Sequence, residues 1–133
     1  MIAAVADTHT AIWLLFGDPR LSLKARSFID NAAATQHKIA LMPISLAEVV
    51  YLVEKERLPT SAFEDLRRAL ASPTHVLVEI ALTGDIVKTM RQIPRASVPD
   101  LPDRLVGATV LHLGVPVITR DARIQASNLQ AIW

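Results

Sequence analysis

The chain has 133 residues, 51% of them hydrophobic and 20% charged, with a formal net charge of +1. That is enough for one domain with a real core and too few for two comfortable ones, and it excludes a disordered chain or one that coats nucleic acid by charge alone. No cysteine is present, which excludes disulfides and thiolate metal sites and fits a reducing, cytoplasmic setting.

The N-terminal "MIAAVAD" lacks a basic leader, and its apolar run is short, so residues 2–6 read as a buried strand rather than a signal peptide. No apolar stretch approaches the ~18 residues a bilayer span needs. After Asp7, Ile12, Leu15 and Phe16 share a helical face that Gly17-Asp18-Pro19 ends. Ser22 can cap a second helix with Ala25, Phe28, Ile29 and Ala32 as its inward stripe. Residues 39–42 are a second strand closed by Pro43, and 45–56 a helix. Leu58-Pro59-Thr60 breaks the chain before a helix marked by Phe63, Leu66, Ala69 and Leu70. Residues 76–80 read as a third strand and 83–93 as a helix, and the three prolines in 94–102 as loop. Residues 103–113 form a helix apolar on most sides, hence buried, with Gly114 ending it. "VPVIT" is a fourth strand, and 131–133 offers a fifth. Strands alternating with one or two helices imply an α/β, three-layer α/β/α sandwich around a mostly parallel sheet of four or five strands.

In such open sheets ligands bind at the carboxyl ends of the strands. Asp7 follows the first strand, and Asp121 the fourth. Glu48 and Asp103, with Asp100 just before it, stand near the starts of helices. Each has a structural alternative as a cap or first-turn acid, and Ser45-Leu46-Ala47-Glu48 matches the capping box. Capping explains the acids singly but not their convergence on one sheet edge. Clustered carboxylates repel, and a hard divalent cation relieves the repulsion through oxygen ligands. His9, His37, His75 and His112 lack paired zinc-ligand spacing and read as surface or packed residues. Thr8 and Thr119 flank the outer acids and can satisfy backbone or hold metal-bound water. Arg104 and Arg120 are surface residues by default and can meet phosphate if they lie at the site. Trp13 and Trp133 read as core anchors.

The stretches "VADTHTAIWLLFGDPRLS", "ISLAEVVYLVEKERL", "PDRLVGATVLHLGVPVITRD" and "QAIW" together resemble the PIN-domain ribonucleases, and within them the VapC-type toxins of toxin–antitoxin pairs. The resemblance spans essentially the whole chain, so 1–133 is expected to be a single PIN-like nuclease domain. It puts an acidic quartet on Asp7, Glu48, Asp103 and Asp121, an additional acid on Asp100 and the hydroxyl before the last acid on Thr119. It implies cleavage of RNA dependent on Mg²⁺, with Mn²⁺ as substitute, inhibition by a small antitoxin, and a homodimer. The helix of Phe63, Leu66 and Leu70 is one candidate dimer surface, with core packing as the alternative. The proline-rich "IPRASVPDLPD" departs from the shorter, glycine-containing approach expected there and bears on the loop near the substrate.

Two rival readings share the fold class. A phospho-aspartyl phosphatase needs a second Asp two positions after the nucleophile, where this chain has His9. A non-catalytic interaction module on a PIN-like scaffold would keep the acids only as caps.

Overall fold

Side chains on successive strand residues point to opposite faces, and this alternation builds both cores. The computed structural model describes residues 1–133. In β1 (Ile2–Ala6), Ala4 and Ala6 face one side and Val5 the other. In β2 (Lys38–Leu41), Ile39 and Leu41 join the first core and Ala40 the second. Ile118 and Val117 divide in the same way in β4 (Val117–Ile118). With β3 (Leu77–Glu79) and β5 (Ala131–Ile132) the sheet has five strands in the order β3-β2-β1-β4-β5. All four neighbouring pairs are parallel, as buried, apolar strands with helical crossovers require.

The first core lies under α1 (Thr8–Leu15), α2 (Leu23–Ala34), α3 (Pro43–Glu54) and α4 (Ala62–Ala71), which contribute Ile12, Trp13, Ile29, Val49 and Leu66. The second lies under α5 (Gly84–Met90), α6 (Leu101–Leu113) and α7 (Ala122–Gln125), with Ile86, Val106, Val110 and Ile124. The molecule is therefore the three-layer α/β/α sandwich expected, with a fully parallel five-stranded sheet.

Two departures from the sequence expectation bear on the site. α3 starts at Pro43, two residues before the serine that the capping-box spacing marks. Met42 is its N-cap and Pro43 fills the first turn, where a missing N–H is harmless. α6 starts at Leu101 rather than at 103, because Asp100 accepts from the Asp103 amide and Pro102 sits in the first turn. The end of the proline-rich loop is thus already helix. For α4 the core-packing alternative holds, with Leu66 buried in the first core and Phe63 and Leu70 packed beside it.

The chain winds from β1 outward to β2 and β3, then returns to place β4 on the other side of β1. The strand order reverses between β1 and β4, and such a switch point opens a crevice at their carboxyl ends.

Candidate active site

Asp7 leaves β1 at that switch point. Its backbone N–H donates to the Ile118 carbonyl of β4 at 3.2 Å, so the residue is held by the sheet itself. One carboxylate oxygen, Oδ1, accepts from the Thr10 amide at 2.9 Å and caps α1. The other, Oδ2, accepts a short hydrogen bond from the Thr119 hydroxyl. Thr119 in turn accepts from the Asp121 amide at 3.0 Å. Thr119 is fully buried, and it ties the acid after β1 to the acid after β4. Asp121 caps α7 through the Arg123 and Ile124 amides at 2.8 and 3.1 Å.

Glu48 has no capping role, because it lies in the second turn of α3, well past the N-cap. The Thr8 hydroxyl donates to Glu48 Oε1. The Thr8 oxygen also lies 2.9 Å from Ser45 Oγ, and its single proton being committed to the carboxylate, it accepts there. Ser45, at the capping-box position, is instead a buried member of this chain of hydroxyls.

Asp103 differs from the other acids. It is half-buried in the first turn of α6, and its carboxylate accepts no hydrogen bond and forms no ion pair within the chain. Its pKa is pushed up to about 7, first by burial and then by the charges of Asp100, Asp121, Glu48 and Asp7. Burial also raises Glu48, against the Thr8 hydrogen bond, with Asp100 and Asp7 adding to the rise and His9 opposing it. Each effect reflects several carboxylates sharing a poorly solvated space.

These five acids line one cleft of ≈ 420 Å³ together with Thr8, His9, Trp13 and Arg120. A second cleft of ≈ 400 Å³ has Asp85 as its only acid. No three acid or imidazole side chains converge tightly enough to form a ready-made metal cage. The five acids are neighbours across a cleft.

Of the residues singled out in the sequence, Asp7, Thr8, Glu48, Asp100, Asp103 and Asp121 line the cleft, and Thr119 supports it from beneath. Arg104 is not brought there. Its guanidinium turns toward the end of α5 and donates to the Met90 and Ile93 carbonyls at 3.1 and 2.8 Å, so it braces the loop leading to Asp100. On a helix, adjacent residues point about 100° apart, which is why Arg104 cannot follow Asp103. His9 and Trp13 line the cleft, although the sequence pattern points to a surface or packed histidine and a core tryptophan. Their signal was spacing: His9 follows Asp7 by two, and Trp13 lies one helical turn further on, at i+4.

An acid-lined cleft at the switch point of a parallel sheet is the arrangement of a PIN fold, and the family model for the PIN domain matches residues 4–128. The chain belongs to the PIN-domain family. Ribonuclease VapC22 from Mycobacterium tuberculosis is 29% identical over 126 residues, covering 95% of this chain and 92% of that protein. The crystal structure of VapBC2 from Rickettsia felis bound to a promoter DNA fragment superposes with a TM-score of 0.71 at 17% identity, covering 98% of this chain and 97% of that one. A toxin–antitoxin complex from Klebsiella pneumoniae gives a TM-score of 0.65 at 21% identity, with 98% and 97% covered. At these identities the two structures establish the fold.

Proposed function

We propose that the chain is a metal-dependent endoribonuclease and the toxin of a VapBC-type pair. The observation that carries this reading is Asp103. A half-buried carboxylate with no hydrogen-bond partner, raised to about 7 first by burial and then by four neighbouring acids, opposes folding in its charged form unless a ligand relieves it. The ribonuclease activity named for the mycobacterial relative supports the same reading.

The donor set fits a hard divalent cation, because every acid offers oxygen. Asp7, Glu48, Asp103 and Asp121 would hold Mg²⁺, or Mn²⁺ in its place, partly through water, since the acids do not close a cage by themselves. When bound, the ion supplies a water of lowered pKa and neutralises charge on phosphate. The chain's own part is positioning. Thr119 fixes the rotamer of Asp7, Thr8 fixes that of Glu48, and α1, α6 and α7 each begin at an acid of the cleft, so their positive ends face it. The site thus holds charge ready before substrate arrives. In-line attack by water on the phosphodiester would leave a 5′-phosphate and a 3′-hydroxyl, with the 2′-hydroxyl a bystander.

Two features support a protein partner. The solved relatives are toxin–antitoxin complexes, and a cationic antitoxin side chain entering this acidic cleft would block metal and RNA together. Homodimerisation and a cytoplasmic setting belong to the same proposal; no helix is long and apolar enough to cross a membrane.

Asp7→Asn tests the assignment, because asparagine keeps both shape and cap while removing charge. Purified protein is expected to cut RNA with Mg²⁺ or Mn²⁺ and not in EDTA. Asp7→Asn should lower the rate by about 10²-fold or more. Undiminished metal-dependent cleavage by the variant would refute the reading. A non-catalytic module, in which the acids serve only as caps, predicts instead that neither Mg²⁺ nor Asp7→Asn has any effect beyond a cap's contribution.

A further inference from the structure

We propose that Arg120 grips a phosphate of the bound strand at the lip of the acidic cleft, and that Trp13 is the positioning residue that holds it there. The proposal rests on the RNA reading above and adds to it the residue that brings a polyanion to a negatively charged site.

Arg120 is the only arginine or lysine lining a cleft that five carboxylates dominate. It is exposed, and it makes no ion pair, although Asp121 is the next residue. Its guanidinium instead lies 5.8 Å from the centre of the Trp13 ring. Stacking on an aromatic face orients a guanidinium without consuming its charge, and leaves its donors free for phosphate. The backbone on both sides of Arg120 is fixed, because Thr119 is bonded to Asp7 and Asp121 caps α7.

Trp13 is well suited to hold it. Trp13 is 7% exposed, with Trp133 packed against its ring at 5.7 Å and His9 at 5.6 Å. With so little ring surface free it is a poor platform for a stacked base, but a firm one for an arginine. Arg20 provides an internal contrast. It stands over the same ring at 5.1 Å, yet its guanidinium is committed to Asp18 through two hydrogen bonds of 3.1 and 2.8 Å. Of the two cations on Trp13, only Arg120 has its charge available and lines the cleft. A phosphate meeting it gains a charge-assisted, potentially bidentate contact. The strand would then be anchored beside the acids rather than repelled by them.

Binding is measured in the Asp7→Asn background, with Mg²⁺ present, by fluorescence anisotropy of a labelled mixed-sequence single-stranded RNA over a range of NaCl. Adding Arg120→Ala should weaken binding roughly fivefold and reduce the slope of log affinity against log salt by about 0.7, the loss of one phosphate contact on a single strand. Arg120→Lys should keep the slope while binding more weakly. Arg20→Ala should change neither. Trp13→Phe should fall between wild type and Arg120→Ala in affinity, and combined with Arg120→Ala it should add nothing further. In the otherwise wild-type enzyme, Arg120→Ala should raise KM more than it lowers kcat. Unchanged affinity and slope in Arg120→Ala overturn the proposal while leaving the nuclease reading intact. So does an equal loss in Arg20→Ala. Cleavage of the probe by the Asp7→Asn protein at the wild-type rate, by contrast, overturns the metal-site assignment itself.

Discussion

Asp103 sets the protein's response to pH. Its folded-state pKa of about 7 lies well above the ordinary value of 3.8. Between those values the unfolded chain ionises Asp103 while the folded chain keeps it protonated. Stability of the metal-free protein should therefore fall as pH rises from about 4 to about 7, and Glu48, also raised, adds in the same direction. A shift of that size would correspond to ~4 kcal/mol if undiluted; for a half-exposed group, solvent screening reduces this to on the order of 1–2 kcal/mol. Thermal melts in EDTA should show the slope in wild type and a flatter one in Asp103→Asn, with the variant at least as stable as wild type at pH 8. A variant that is less stable than wild type throughout would mean that the carboxylate is structural.

At the scale of elements, the same residues serve packing and chemistry, and this decides what the sequence could reveal. Asp7, Asp100 and Asp121 are both helix caps and cleft acids, so the capping reading was right for each and did not exclude the other role. Glu48 was harder to read. Ser45 and Glu48 have capping-box spacing, but the helix starts earlier at Pro43, and only the fold reveals that Ser45 bonds Thr8 rather than a backbone amide. Arg104 misled for a related reason. It neighbours Asp103 in sequence, and no local pattern tells which way a helical side chain will turn. Strand positions are legible because each is a short apolar run bounded by a turn or cap residue; β4 and β5 are only two residues long each. Gly114 was legible from its type alone. It ends α6 at φ +67°, with the Val115 amide closing onto the Val110 carbonyl at 3.1 Å. Gly114→Ala leaves room for the methyl group but strains the backbone, and should cost about 1 kcal/mol in chemical denaturation. No loss would mean that the α6 terminus relaxes freely.

The whole molecule separates its charge while remaining nearly neutral. A net charge of +1 coexists with a cleft that gathers five carboxylates contributed by four separate stretches of chain. The parallel sheet makes this possible, because its switch point brings the ends of β1 and β4 together and the helices after β2 and before β4 supply the rest. On the proposed reading, such a site would bind RNA through a cation at its centre and an arginine at its edge, rather than through an overall basic surface. Diffraction from a crystal soaked in Mn²⁺, recorded at the manganese absorption edge, tests this most directly. The account predicts an anomalous peak between Asp7, Glu48, Asp103 and Asp121 that disappears in Asp103→Asn or moves to a weaker position. A saturating soak that leaves this space without a peak, or places manganese only elsewhere on the surface, would contradict it.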